Sequence, residues 1–172
     1  MREIKFRGKC KNKWVYGFLT SENFAKSTID GKTLNVHTYA INSYEEQQGP
    51  FISGDTVFVK PTMYHYVDKE TIGQYTSLKD KNGIEIYEGD IVKAKYYELR
   101  DFGDEIADVY TEFVEEVMWL PVCNGFVLKI MIEDVPLYRP LDFVREVNGI
   151  KLIELKVIGN IYDNPELLEV EE

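Results

Sequence analysis

Residues that form tight turns recur at short intervals along this chain, and they limit its fold more than any other feature. Glycine stands next to Asn, Asp or Pro at each of these places, and runs of apolar, β-branched or aromatic residues fill the intervals. Short strands joined by tight turns produce this pattern. The sequence therefore predicts an all-β (β-dominated) domain with little helix. The turn signals are Asp30-Gly31, Gly49-Pro50, Gly54-Asp55, Asn82-Gly83, Glu88-Gly89-Asp90, Asn124-Gly125 and Asn148-Gly149.

Two of these turns lie close together in the segment GQYTSLKDKNGIEIYEGDIV, residues 73–92. Asn82-Gly83 tolerates left-handed backbone angles, and the carboxylate of Asp80 can accept backbone hydrogen bonds within the same turn. Asp90 is expected to cap the second reversal through its own side chain. The segment therefore predicts a hairpin followed by a second reversal.

A cation-binding loop is the functional alternative for this segment, because five of its side chains offer oxygen ligands. The EF-hand spacing is not met, since Gly83 directly follows the first two of them. We therefore favour structural turns and expect no metal or cofactor site. The five residues are Asp80, Asn82, Glu85, Glu88 and Asp90.

Strands are expected on both sides of the other turn signals. The first hairpin joins EIKFRG to KWVYGFL through a bend at residues 11–13, and Gly17 allows its second strand to bend. Further strands are predicted in LNVHTYAI, in FISGDTVFVK, on each side of Asn124-Gly125, and in IKLIELKVIG.

Residues 104–118 are ambiguous. Their apolar side chains recur at three- and four-residue spacings, as in an amphipathic helix, yet the segment is rich in β-branched and aromatic residues. We expect strands from about Glu112 onward, whereas residues 104–111 fit either helix or strand. Pro140 is expected in the first turn of a short helix in PLDFVREV, and Asn164 is expected to cap one turn that Pro165 begins.

Length and composition indicate one folded domain over residues 1–172, with the last few residues forming a loose acidic tail. The 172 residues are 44% hydrophobic and carry a formal net charge of −10, which disfavours a general grip on nucleic acid. We expect no signal peptide and no membrane span, and two cysteines suit a reducing cytoplasm.

Charge is unevenly distributed along the chain. Residues 1–14 hold six Lys and Arg against one Glu, a net charge of +5, whereas residues 98–118 hold one Arg against eight acidic residues, a net charge of −7. This polarity could guide self-association or a charged partner, although ordinary solvated surfaces show similar runs. We favour the second interpretation, in which the charged runs are ordinary solvated surface.

Few residues suit catalysis by a nucleophile and a base. His37 and His65 are the two histidines, and Cys10 and Cys123 are the two cysteines, with none of the short spacings typical of zinc sites. Carboxylate pairs are harder to exclude, because 30 acidic residues allow many of them. We expect no catalytic residue, cofactor or metal, and hence no enzyme.

Tyrosines could supply a stacking surface for single-stranded nucleic acid or a protein interface. Aromatic residues in strands more often pack against a sheet, and we favour that interpretation. The tyrosines are Tyr64, Tyr66, Tyr75, Tyr87, Tyr96 and Tyr97.

Three blocks of the sequence resemble the hallmarks of the YopX family of phage and prophage proteins. They are MREIKFRGK with the following WVYG, VDKETIGQYTSLKDKNGIEIYEGDIV at residues 67–92, and VIGNIYDNPELL at residues 157–168. Ser77 stands where members of the family usually carry Gly. The resemblance implies a complex arrangement of coiled and branching antiparallel sheets, and it implies no catalytic residue or cofactor.

The leading functional hypothesis is a non-enzymatic phage or prophage accessory protein that binds a protein in the cytoplasm, including a second copy of itself. An alternative is a nucleic-acid-binding protein that uses Arg7, Lys9, Lys11, Lys13 and exposed tyrosines, or an acidic mimic of nucleic acid. An enzyme that uses carboxylates ranks last.

Overall fold

The computed structural model describes residues 3–29, 32–43, 51–53, 56–58, 63–101, 103, 106–141, 146–147 and 149–169. Within these ranges the chain forms antiparallel strands, and its helical segments are three short 3-10 turns. The all-β fold predicted from the turn signals is therefore confirmed. The same ranges hold no helix that is long and apolar enough to cross a membrane.

The chain divides into two compact units, residues 1–75 and residues 76–172. The expectation of a single domain over residues 1–172 stays a prediction. β7 (Gly73–Lys79) crosses the division, so that its first residues belong to the first unit and its last residues to the second.

In the first unit, neighbouring strands follow the order β6-β3-β2-β1-β7, while β4 and β5 pair only with each other among the described strands. A 3-10 turn, Lys69–Thr71, separates β6 from β7. The strands are β1 (Phe6–Cys10), β2 (Lys13–Ile29), β3 (Lys32–Ser43), β4 (Phe51–Ser53), β5 (Thr56–Phe58) and β6 (Met63–Val67).

In the second unit, β8 lies beside the end of β7, and six further strands follow the order β12-β11-β10-β9-β14-β13. Two more 3-10 turns, Pro121–Cys123 and Pro165–Leu168, belong to this unit. The strands are β8 (Glu85–Tyr87), β9 (Asp90–Asp101), β10 (Ile106–Leu120), β11 (Gly125–Ile132), β12 (Val135–Pro140), β13 (Glu146–Val147) and β14 (Ile150–Asn160).

The core of the second unit lies on one face of this sheet. Most of its side chains come from one face of β9, β10, β11 and β14, where a register shift after Leu152 places Leu155 on the same face, and Ile86 is added from β8. The fully or almost fully buried members are Ile86, Val92, Ala94, Tyr96, Val117, Leu128, Leu152 and Leu155.

The predicted first hairpin is confirmed, with Cys10 paired to Lys13 across the turn. Gly17 has a φ of 155°, and a Cβ atom built on it would lie 1.9 Å from the carbonyl oxygen of Asn42. No side chain fits at that distance, so glycine allows β2 to approach β3 closely. β2 then continues to Ile29, well beyond the predicted strand, and pairs with β3.

Several turn signals fall outside the described residues, although strands flank them. Ile29 pairs with Lys32 on either side of Asp30-Gly31, and Ser53 pairs with Thr56 on either side of Gly54-Asp55. Gly49-Pro50 also lies outside the described residues.

Residues 106–111 are strand, which resolves the ambiguity between helix and strand. They pair with β9 from Ile106 opposite Asp101 onward, because β-branched and aromatic side chains suit a sheet surface. The three- and four-residue spacing of apolar residues does not correspond to a helix here. Residues 104 and 105 lie outside the described part.

The helix predicted to begin at Pro140 is wrong. Pro140 ends β12 opposite Val127, and Glu146–Val147 form β13. Residues 142–145 of the predicted helix lie outside the described residues. A proline fits an edge strand when the amide position that it occupies faces away from the neighbouring strand.

The turn after β10 also differs in detail from the prediction. Asn124 adopts the left-handed conformation with a φ of 48°, but it follows a 3-10 turn, and Leu120 pairs with Gly125. A two-residue turn at Glu133-Asp134, which the sequence pattern did not reveal, joins β11 to β12.

Candidate functional site

Asp80 occupies the centre of the turn between β7 and β8. Its carboxylate accepts hydrogen bonds from the backbone N–H groups of Asn82 at 2.7 Å and Ile84 at 2.9 Å. A third backbone donor, the N–H of Val157 in β14, lies 3.1 Å from its second oxygen. Gly83 takes a φ of 82°, as the turn requires. The predicted role of Asp80 within the turn is confirmed.

These donors also determine the protonation of Asp80. Burial by itself raises the pKa of the Asp80 carboxyl, but the backbone hydrogen bonds from Ile84, Asn82 and Val157 outweigh it and hold the pKa below its usual value. The carboxylate is thus stabilised in its charged form as an acceptor of backbone hydrogen bonds.

Asp90 has the same kind of role in the next reversal. Its carboxylate accepts the N–H of Tyr87 at 2.7 Å, while Gly89 between them has a φ of 81°. Gly89 donates its N–H to the carbonyl of Val117 and accepts from the N–H of Ile161. The reversal therefore connects β10 with the segment after β14.

The carboxylates that were considered as cation ligands in residues 73–92 accept hydrogen bonds from different protein donors. Glu85 accepts a hydrogen bond from the Tyr87 hydroxyl at 2.7 Å, and Glu88 accepts one from the backbone N–H of Trp119 at 3.3 Å. Across the described ranges, no three residues among His, Cys, Asp and Glu are grouped to hold a metal ion.

The blocks that resemble family hallmarks meet within each unit. In the first unit, Lys9 donates its N–H to the Thr71 hydroxyl at 2.8 Å, and its carbonyl accepts the N–H of Asp68. The carbonyl of Lys5 accepts the N–H of Tyr75 at 2.8 Å. The first block thus pairs with the beginning of the central block. In the second unit, the end of the central block pairs with the last block through β9 and β14.

Glu115 is a second buried carboxylate, and sequence reasoning missed it. It lies on β10 with no exposed surface, accepts a hydrogen bond from the Tyr96 hydroxyl, and forms an ion pair with Arg139 at 2.5 Å. The Arg139 guanidinium also lies 4.7 Å from the centre of the Tyr96 ring and 4.6 Å from that of Phe113. We call Glu115, Tyr96, Arg139 and Phe113 the buried polar cluster.

Burial raises the pKa of the Glu115 carboxyl, and the Tyr96 hydrogen bond and the Arg139 charge offset this effect only in part. Burial and the neighbouring Glu115 charge also raise the pKa of the Tyr96 hydroxyl. Both oxygens of Glu115 have a protein donor, and these donors compensate in part for the burial of its charge.

A signal for Glu115 was present in the sequence. Strand alternation places Phe113, Glu115 and Val117 on one face, and Val117 is fully buried. The sequence predicted a strand from about Glu112 onward, so the alternation was available as a signal. One glutamate of the Glu115-Glu116 pair must face the core once the segment is strand.

The cysteines and histidines lie in ordinary strand and turn positions. Cys10 is half-buried in β1, Cys123 is exposed in the 3-10 turn after β10, and both are free thiols. His65 is half-buried in β6, whereas the side chain of His37 lies outside the described part. The expectation of no catalytic pair stays a prediction.

The six tyrosines considered for stacking separate into two groups. Tyr75, Tyr87 and Tyr96 are buried, which confirms sheet packing for them. Tyr64 and Tyr66 on β6 are 50% and 55% exposed, so sheet packing is not confirmed for them. The sixth, Tyr97, is half-buried and donates its hydroxyl to Asp108.

Most of the described acidic residues between 98 and 118 have partners in the same sheet. Glu112 pairs with Lys93 at 2.9 Å, and Glu116 pairs with Lys129 at 3.1 Å. Glu98 also pairs with Arg100. These ion pairs offset part of the negative charge of residues 98–118, so the segment differs from a series of unpaired acidic side chains.

An apolar hairpin and a groove lie at the β12 side of the second unit. The groove has a volume of about 360 Å³ and lies between β10, β11 and the segment around the last 3-10 turn. Val114 and Glu116 flank Glu115 along β10, so the groove lies on the face opposite the buried polar cluster. Its lining residues are Val114, Glu116, Lys129, Ile130, Met131, Leu167, Leu168 and Glu169.

A comparison with protein families agrees with the resemblance seen in the sequence. The family model described as YopX protein matches residues 5–169. A crystal structure of protein EF1440 from Enterococcus faecalis is similar at 23% identity and a TM-score of 0.46, covering 98% of this chain and 100% of that one. No curated protein matches the chain. The match over nearly the whole sequence shows that the chain belongs to the YopX family.

Proposed function

We propose that this chain is a non-enzymatic interaction protein whose β11–β12 hairpin docks into an apolar cleft of another protein. The supporting observation is a set of five large apolar side chains on this one hairpin that are all 41–64% exposed, three on one face and two, Met131 and Tyr138, on the other. Exposed apolar surface concentrated in one place is typical of interaction sites. The five residues are Met131, Ile132, Val135, Leu137 and Tyr138.

Side chains, and not the free edge of β12, are the means of contact. Glu133 and Asp134 have φ values of 49° and 63°, the pattern of a type I′ turn, in which Ile132 and Val135 exchange backbone hydrogen bonds. Alternation then places the backbone groups of residues 136, 138 and 140 on the outer edge of β12.

Two of those three outer positions are Pro136 and Pro140, which have no N–H to donate. Proline at such positions protects an edge strand from pairing with another chain. The protected edge supports docking through the side chains of the hairpin and disfavours strand addition.

Charge indicates the chemistry of the partner. The hairpin turn is Glu133-Asp134, the groove beside it holds Glu116 and Glu169, and residues 76–172 contain 22 acidic against 10 basic residues. A partner with an apolar cleft and a rim of Lys and Arg complements this surface. The same charge opposes docking of two hairpins onto each other.

Family membership supports an accessory role for this interaction in phage or prophage biology, in the cytoplasm of the host cell. A photo-crosslinking amino acid in place of Leu137 tests it in cells that express the chain, with the same amino acid in place of Leu99 as the control. Leu99 is 55% exposed at the far end of β9. We expect an adduct with a distinct protein from position 137 and none from position 99.

A second variant makes the test specific. Val135→Asp introduces a charge into the hairpin and should abolish the adduct, whereas Ile106→Asp, at a position that is equally exposed at 64%, should leave it intact. Adducts that are the same from both crosslinker positions, or that contain only a second copy of this chain, would contradict the proposal. Light scattering of the purified chain measures self-association independently.

A further inference from the structure

Aromatic and basic side chains share one face of the sheet in the first unit. Cross-strand pairing places Arg7 opposite Tyr16 and Lys9 opposite Trp14, so that β1 and β2 contribute to the same face. On the other side of β2, Phe18 lies opposite Asn42.

The same face extends across β3 to the edge strand β6. Asn42 lies opposite Tyr64, and Ala40 lies opposite Tyr66. Phe18, Asn42 and Tyr64 therefore form one row across three strands. We call the face that carries Tyr16, Phe18, Tyr64 and Tyr66 the aromatic face.

The four rings of the aromatic face are solvent-accessible. Tyr16 is 44% exposed, Phe18 49%, Tyr64 50% and Tyr66 55%. The opposite face of the same strands holds Ile41, which is completely buried. Ala40, Asn42 and Arg7 on the aromatic face are also buried, at 6% exposure each, whereas the four rings keep about half of their surface in solvent.

Positive charge lies along one side of these rings. The Arg7 guanidinium is 4.6 Å from the centre of the Trp14 ring, and the Lys9 ammonium is 5.4 Å from it. Lys5 lies 5.9 Å from the ring of Tyr75. Residues 1–75 hold ten Lys and Arg against eight Asp and Glu, a net charge of +2, whereas residues 76–172 have a net charge of −12.

A polar group within the aromatic face lacks a partner. Asn42 is 6% exposed and donates a side-chain hydrogen bond to the Thr20 hydroxyl at 3.1 Å, but its Oδ1 atom accepts none from the described residues. Buried acceptors normally have a donor. A base admitted between Phe18 and Tyr64 could donate an N–H to this oxygen, such as the ring N3–H of thymine or uracil.

We propose that the aromatic face binds single-stranded nucleic acid. Bases stack on Tyr16, Phe18, Tyr64 and Tyr66, and phosphates lie towards Lys5 and Lys9, because Arg7 is only 6% exposed. Rings two residues apart on a strand are about 7 Å apart, so successive rings can each receive a base. A duplex keeps its bases stacked on each other, so the face selects single strands.

Fluorescence anisotropy with a labelled oligothymidine of about 16 nucleotides tests the proposal with the full chain. We expect binding that weakens about 10-fold for each of Phe18→Ala and Tyr64→Ala, because each ring removed loses one stacked base. Tyr110→Ala removes a ring of similar exposure, 55%, in the second unit and should leave affinity unchanged.

Two further variants separate stacking from a loss of folding. Tyr64→Phe keeps the ring and should bind like the parent chain, whereas Tyr64→Leu should bind like Tyr64→Ala. Lys9→Gln should reduce the dependence of log affinity on log salt by about 0.7, the contribution of one phosphate on a single strand. Thermal unfolding verifies that each variant is folded.

An oligouridine of the same length distinguishes RNA from DNA as the natural ligand, and a labelled duplex measures strand selectivity. Absence of binding to both oligonucleotides at about 50 mM salt would overturn the proposal, as would equal affinity for the duplex. An equal loss of affinity in Tyr110→Ala would also overturn it. If the face binds a protein instead, these variants will change protein adducts and leave the oligonucleotides unbound.

Discussion

Asp80 and Glu115 are both buried carboxylates in the second unit, but their surroundings shift their pKa values in opposite directions. Asp80 accepts three backbone N–H groups, whose positions the turn and β14 determine, and its pKa is lowered. Glu115 lies inside a sheet with two side-chain donors, and burial raises its pKa. Burial alone therefore does not determine the charge of a carboxylate, because the number and rigidity of its donors decide the result.

The opposite pKa shifts also indicate what each carboxylate contributes to the stability of the fold. A charged Asp80 holds together a turn and a distant strand, so its ionisation stabilises the fold. An ionised Glu115 depends on Arg139, because the interior of the sheet disfavours an isolated charge. We therefore interpret both carboxylates as structural groups.

The largest expected effect is that of Arg139→Met, which leaves Glu115 without its counter-charge. We predict a loss of about 3–5 kcal/mol in the free energy of unfolding at pH 7, because a buried charge becomes uncompensated. Below about pH 4 the loss should be smaller, since Glu115 is then neutral. Urea unfolding at both pH values measures it, and Lys151→Met, at an exposed position of β14, is the control. Equal losses at the two pH values would contradict the role given to Glu115.

Asp80→Asn should cost about 2–3 kcal/mol at pH 7, because an amide nitrogen replaces one of the charged oxygens that accept backbone N–H groups. The folded-state pKa of Asp80 is lowered, so its contribution is present above the ordinary aspartate pKa and is lost as pH falls. The loss in Asp80→Asn should accordingly disappear towards pH 2. Denaturant titrations from pH 2 to 7 measure this trend, and a loss that does not depend on pH would exclude it.

Glu115→Gln should cost about 1–2 kcal/mol and show the opposite trend. The folded-state pKa of Glu115 is raised, so its stabilising contribution is complete below the ordinary glutamate pKa and is lost as pH rises through the raised value. Glutamine does not ionise, so the difference between variant and parent should shrink as pH rises from about 4. The same denaturant series measures it. A difference that grows with pH would show that the ionised form is favoured in the fold.

Ser77→Gly should have the smallest effect and should stabilise the chain by about 1 kcal/mol. Ser77 has a φ of 73° in the strand before the Asp80 turn, and this left-handed conformation is costly for residues other than glycine. Thermal unfolding measures the gain, and Ser77→Ala, which keeps the cost, should show none.

The turn around Asp80 could be predicted from the sequence. Asn82-Gly83 with Asp80 two positions earlier indicated both the turn and its side-chain acceptor, because these bonds span two to four residues. The strand at residues 150–160 was also predictable from its alternation. Such features depend on neighbours in the sequence.

The remainder depends on contacts between distant residues. Val157 donates to Asp80 across 77 positions, and Tyr96 and Arg139 reach Glu115 across 19 and 24 positions. Pro140 satisfied the rule for a helix start but lies in an edge strand, where its missing N–H costs nothing. The aromatic face likewise requires the pairing of β2, β3 and β6, which the sequence alone does not give.

The most direct measurement is an NMR titration of the side-chain carboxyl carbons of Asp80 and Glu115 in the intact chain. The structure predicts that Asp80 titrates below the ordinary aspartate pKa and Glu115 above the ordinary glutamate pKa. Two unshifted values, or shifts in the reverse order, would contradict the assignment of one carboxylate to backbone donors and the other to a buried ion pair.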